Sequence, residues 1–210
     1  MTLRLKGENS GDVSLKAPAT AGDNTITLPT SNGSANQYLK NGSTAGVLEF
    51  GTLPSSGKIL QVVQAVETSV VSDSSITAGT FETVLSASIT PSSSSNKVLV
   101  MYSSNASTTT ANAFFTFRVA RGSTAIGIGD ADGSRTRSGV PNQLVSYTSQ
   151  SMAFSQVILD SPSTTSATTY NLQYSGEAGV GTLVINRGAT SDSANTNTGA
   201  THLILMEVAA

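Results

Sequence analysis

The chain has 210 residues, 38% of them hydrophobic and only 11% charged, with no Cys, no Trp, one His and a formal net charge of −2. That balance excludes electrostatic steering to nucleic acid or to an anionic membrane, and it excludes a disulfide framework. No apolar run approaches the roughly 20 residues needed to span a bilayer, and Met1-Thr2-Leu3-Arg4-Leu5-Lys6 lacks the apolar centre of a signal peptide; neither membrane insertion nor a signal peptide is expected.

Ser, Thr, Gly, Asn and Ala make up most of the remainder, with β-branched residues in short clusters and no helical periodicity of any length. Disorder pairs low hydrophobicity with high net charge, and this chain has neither. The expected class is all-β with many polar turns.

Residues 1–56 carry short alternating pieces: Leu3/Leu5, Val13/Leu15, Ile26/Leu28, Leu39, Val47, Leu48 and Phe50. Turn formers separate them, Gly22-Asp23-Asn24, Ser31-Asn32-Gly33-Ser34 and Lys40-Asn41-Gly42-Ser43. Each piece offers too few apolar side chains for a core within one chain, so the segment must dock on something or wrap with identical chains. An extended stalk or anchoring segment is expected here. The alternative is a flexible Gly/Ser linker, which would not show strand pieces at such regular spacing.

From residue 57 to residue 210 the spacing changes to that of a β-sandwich. Ile59 to Val66 is apolar on both faces. Phe81 to Ile89 has apolar odd positions and therefore one buried face. Lys97 to Tyr102 is two-sided again; Phe115, Phe117 and Val119 line one face of the next strand, and Met152 to Leu159 forms another. Tyr170, Leu172 and Tyr174 alternate with Asn171 and Gln173, and Leu183-Val184-Ile185 follows. The closing piece, His202 to Val208, is apolar on both faces although the sequence stops two residues later. A two-sided strand is normally central and covered twice. The closing strand is therefore expected to pair with Ile59–Val66 and to share a sheet with Lys97–Tyr102, one face in the sandwich and the other against further copies of the domain. Eight to ten strands with paired ends suit a jelly roll. Leu60, Val62, Leu99, Met101, Leu203 and Leu205 are the residues expected at a three-fold interface, since closed symmetry hides such a face.

Few residues suggest chemistry. His202 begins a strand, where a polar residue needs no special role. Glu82, Asp160 and Glu177 are the candidates for a carboxylate pair that cleaves glycans, each at a turn or on a polar strand face. The richest polar loop runs from Gly127 to Pro141 and holds Asp130, Asp132, Arg135 and Arg137. Asp130-Ala131-Asp132-Gly133 is like the start of a calcium loop, without the later oxygen ligands that give affinity. The same loop reads equally as a saccharide- or protein-binding surface, because sites gather on loops held by a rigid sandwich. A second loop, Gly188 to Thr201, is rich in Ser, Thr and Asn and either binds sugars or is inert. No metal, cofactor or catalytic residue is expected.

The order Leu15-Lys16-Ala17-Pro18, Thr27-Leu28-Pro29, Asn32-Gly33, Leu39-Lys40-Asn41-Gly42-Ser43 and Leu48-Glu49-Phe50 resembles a module of bacteriophage tail-fibre and other appendage proteins, marine ones especially. The match covers about forty residues. It implies a virion location, a segment 1–56 that joins other phage virion proteins, and a C-terminal head over 57–210. In architecture the head looks like the compact trimeric jelly roll of the C1q and tumour-necrosis-factor type. The implied function is a homotrimeric virion component whose head loops, with Asp130, Asp132, Arg135 and Arg137, bind a host surface glycan or outer-membrane component. The alternatives are a decoration protein without a receptor role and a glycan-cleaving tailspike.

Overall fold

The structure, a computed structural model, describes residues 2–6, 12–16, 25–53, 57–148, 150–189 and 197–210, the first two segments as backbone only. The expected turn Gly22-Asp23-Asn24 and residues 190–196 of the second polar loop lie outside the described residues. The chain divides into two compact units, 1–54 and 55–210.

The first unit is two hairpins. Strand β1 (Thr2–Lys6) pairs with β2 (Asp12–Lys16), Leu3 opposite Leu15. Strand β3 (Gln37–Asn41) pairs with β4 (Leu48–Thr52). Lys40 stands directly across from Glu49 in that second pair and bonds to it at 2.9 Å. Thr27 bridges to Val47 beside the hairpin. Ile26 and Leu28 remain 68% exposed, so residues 25–53 show strand pieces without a closed core among the described side chains.

The second unit holds β5 (Ile59–Glu67), β6 (Val71–Asp73), β7 (Glu82–Ile89), β8 (Lys97–Thr108), β9 (Ala113–Arg121) and β10 (Thr124–Ile126). It continues with β11 (Gln143–Val145), β12 (Met152–Asp160), β13 (Thr168–Gly176), β14 (Leu183–Ile185) and β15 (Thr201–Val208). All pairings are antiparallel. In one sheet β15 lies between β5 and β8, and β12 takes the far side of β8 along the same stretch. The short β6 and β14 prolong the lanes of β5 and β15. In the other sheet β7, β13 and β9 follow in order, with β10 and β11 sharing the last lane. Numbered along the chain, the eight lanes run first, eighth, third, sixth in one sheet and second, seventh, fourth, fifth in the other. That is the jelly-roll order, two Greek keys folded together. The fold is all-β, and no helix occurs among the described residues.

The core follows the alternation. Val98, Val100 and Tyr102 of β8 and Leu203 and Leu205 of β15 face Phe115, Phe117 and Val119 of β9 and Leu172 of β13. Phe154 of β12 sits between Phe115 and Phe117, ring centroids 5.1 and 4.8 Å away. Two polar clasps tie the sheets together. Arg121 Nη1 donates to both oxygens of Asp160 at 2.8 and 2.7 Å, and the Tyr170 hydroxyl donates to Asp160 Oδ2 at 2.7 Å. Tyr174 donates to Asp73 Oδ2 at 3.1 Å.

The ends of the unit meet at one pole. Gly57 N donates to Ala209 O and Ala209 N to Lys58 O. Beside them Glu207, 1% exposed, accepts from Gln61 Nε2, Asn96 Nδ2 and the amide and hydroxyl of Ser92, all at 2.6–2.7 Å. Burial raises the pKa of this carboxyl, but the donors outweigh it and hold the value at about 2.

Two expectations need correction. Leu203 and Leu205 are fully buried inside the sandwich, so neither can sit at an outer interface; the outward row of β15 is His202, Ile204, Met206 and Val208. In β7 a register shift opposite Leu172/Gln173 inserts an extra residue. Leu85, Ala87 and Ile89 keep the expected inward parity. Phe81 and Thr83 do not: Phe81 lies on the outer face with the Arg118 guanidinium 3.5 Å over its ring.

Candidate binding surface

The loop between β10 and β11 is held at its neck and free at its tip. Gly127, at φ 58°, turns the chain off β10. Gly129 N donates to Ser138 O, and Gly139 N donates to Phe117 O on the edge of β9. From below, Thr116 Oγ1 donates to Val140 O at 2.6 Å, and Gln156 Nε2 donates to Gly127 O. At the tip, Arg135 Nη1 bonds Asp132 Oδ2 at 2.7 Å, with both side chains about three-quarters exposed. Arg137 Nε donates to Gly129 O at 2.6 Å. The four residues singled out in the sequence, Asp130, Asp132, Arg135 and Arg137, line one open hollow of about 310 Å³. The two arginines spend donors on their own loop, and only Asp130 among the four makes no hydrogen bond among the described residues. No group of three or more His, Cys, Asp or Glu able to hold a metal ion occurs among the described residues.

A second, more enclosed hollow of about 190 Å³ lies against the outer face of the sheet formed by β7, β13 and β9. Thr116, Ser175, Gly176 and Glu177 form its floor, and Ala78, Gly79, Thr136 and Asn142 its walls. Sequence reading missed it, because these positions come from five separate stretches of chain. The signal available was the polar row Asn171, Gln173, Ser175 on β13, alternating with the buried Tyr170, Leu172 and Tyr174.

The outer face of the opposite sheet is apolar at its centre and polar at its ends, where the row Val66, His202, Ser103 and Ser155 closes one side and Lys97 stands at the other. Across the strands, Val62 lies beside Met206, Met206 beside Leu99 and Leu99 beside Leu159; the next row is Gln64, Ile204, Met101 and Val157. Val62, Val157 and Leu159 are 57%, 67% and 54% exposed, and Leu60 adds 48%. Four lanes about 4.8 Å apart and these two rows about 6.8 Å apart give an apolar patch on the order of 250 Å². Patches of that size are common on monomers. Of the six interface candidates, Leu60, Val62, Leu99 and Met101 lie on this face, and Leu203 and Leu205 lie beneath it.

The remaining candidates are scattered. His202 is on the apolar face, with Gln64 Nε2 3.2 Å from its Nδ1. Asp160 is taken up by Arg121 and Tyr170. Glu177 Oε1 accepts from Phe114 N at 2.9 Å. Glu82 begins β7, in the sheet opposite Asp160.

No protein-family model and no curated protein matches the chain. Among solved structures, two of infectious bursal disease virus are similar at low identity. The Gx strain structure matches at 14% identity and a TM-score of 0.41, over 95% of this chain and 43% of its own. The Gt strain structure matches at 15% and 0.37, over 98% and 46%. The chain thus spans less than half the length of the structures it matches.

Proposed function

We propose that the protein is a non-enzymatic structural component of a bacteriophage virion, a homotrimer whose head adsorbs to a glycan or outer-membrane component of the host surface. The observation that carries the reading is the uncharged apolar centre of the outer face of the β5–β15–β8–β12 sheet, from Val62 to Leu159 and from Ile204 to Val157. Its central strand is greasy on both sides, so in water it needs a second cover. A face without charge selects an equally apolar partner, and identical copies supply one; closed rotation leaves none of it exposed. The resemblance of residues 15–51 to phage appendage modules supports the virion location and a joining role for residues 1–56. Three copies would present the β10–β11 loop, with Asp130, Asp132, Arg135 and Arg137, three times, so that weak contacts add up.

The solution mass of the 210-residue chain tests this. Three times 21.4 kDa, roughly 64 kDa, is expected. Particles lacking the protein should adsorb poorly to host cells; normal adsorption would favour a decoration protein. Turnover of host polysaccharide would favour a tailspike.

A further inference from the structure

Polar rungs cross the outer face of the β7–β13–β9 sheet, and each but the last is closed by its own side chains. Ser88 Oγ meets Thr169 Oγ1 at 2.7 Å, and Ser86 Oγ donates to Asn171 Oδ1 at 2.7 Å. Gln173 is held between Thr83 and Arg118, the latter donating through Nε at 2.9 Å. The next rung is Ser175 opposite Thr116. Ser175 is 2% exposed, yet its hydroxyl has no hydrogen-bond partner among the described residues and opens on the 190 Å³ hollow. Its oxygen is left to be satisfied from the hollow, by water or by a ligand.

The rest of the hollow is built to match. Gly79, at φ 76°, lets the 77–80 turn pass close to Thr136. Glu177 is fixed by the Phe114 amide on one carboxylate oxygen, and its second oxygen has no hydrogen bond among the described residues. Asn142 and Thr136 spend no side-chain hydrogen bond either. The wall therefore offers hydroxyl, amide and carboxylate groups that both donate and accept. Its only charge is negative, which rejects anions, and one carboxylate does not make a cation site. The volume is below the roughly 300–1,000 Å³ of pockets for drug-sized ligands.

We infer that this hollow, roofed by Thr136 of the β10–β11 loop, binds a single neutral sugar ring, with Ser175, Asn142 and Glu177 hydrogen-bonding its hydroxyls. The inference rests on the adsorption reading above and moves its specific contact from the arginine tip to the sheet face beneath. Vicinal hydroxyls suit a fixed carboxylate and a neighbouring amide.

The test is saturation-transfer NMR of the full chain with the methyl glycosides of glucose, galactose, mannose and N-acetylglucosamine. At least one should give a saturable signal. Ser175→Ala removes no internal hydrogen bond, and Glu177→Gln keeps the acceptor for Phe114 N; both should keep the parent Tm. Each should weaken the responding glycoside about tenfold, the worth of one lost hydrogen bond. Lys58→Ala, at the opposite pole, should leave its Kd unchanged. No signal from any of the four glycosides, or a Kd untouched by Ser175→Ala and Glu177→Gln, overturns the inference. Retained trimer mass and cell adsorption in that case would leave the adsorption reading standing, so the two fail separately.

Discussion

The two outer faces of the sandwich are built on the same alternation and end in opposite states. On the β7–β13–β9 side the outward positions are Ser, Thr, Asn and Gln, bonded to one another across strands. On the β5–β15–β8–β12 side the central ones are Val, Leu, Ile and Met, and polar contacts such as Gln64 with His202 stand at the margin. Inward positions on both sides are equally apolar, so the fold is indifferent to the contrast. Under the proposed assembly, what differs is the medium each outer face would meet: water and small polar ligands on one side, protein on the other. Adjacent residues of β15 make the sharpest probe, since Leu205 faces the core and Met206 faces out.

The largest effect is expected from Leu205→Asp, which buries a carboxylate among Val100, Phe117 and Leu172 at a cost on the order of 5 kcal/mol. Circular dichroism should show a chain that no longer folds cooperatively. Met206→Asp should keep the β spectrum and reduce the solution mass to one chain; a folded trimer with aspartate at 206 would break the assignment of that face to assembly.

Glu207→Ala should come next. It strands the donors of Gln61, Asn96 and Ser92, costing about 3 kcal/mol in urea unfolding. The parent carboxyl, held at about 2 against an ordinary 4.5, contributes fully above pH 4.5. That contribution fades as the pH falls toward 2, because the unfolded chain takes up the proton first. The variant should lack this part of the acid slope. Asp160→Asn weakens the clasp of Arg121 and Tyr170 and should lower stability by about 1–2 kcal/mol. Arg135→Ala, at an exposed ion pair, should change stability by less than about 0.5 kcal/mol; a larger drop would mean that the tip holds the loop together.

Much of the fold could be read from the residues. Two-sided patterning at 59–66, 97–102 and 202–208 placed three strands in one sheet with the closing strand paired to the first, as found; that 97–102 takes its other side was not read. Parity on β15 could not be read, because both parities are apolar. The one charge, Glu207, suggests the wrong side: it points inward, where Gln61, Asn96 and Ser92 gather from elsewhere in the chain. The bulge in β7 was equally silent, since Phe81 looks like one more apolar odd position. The loop tip was visible as a run of Gly, Asp and Arg. The hollow beneath was not, because Ala78, Thr116, Asn142 and Ser175 are neighbours only after the jelly roll has closed.

The meeting of residues 57 and 209 at one pole has a mechanical consequence. Strand β13 runs from that pole toward Ser175, so the hollow lies near the far end. A head pulled by the chain entering at Gly57 and held by a ligand at Ser175 is loaded along its strands. Backbone hydrogen bonds between β5 and β15 lie perpendicular to that load. They are strained together in shear, and the head resists detachment as a whole ladder where a peeling pull would open it one rung at a time.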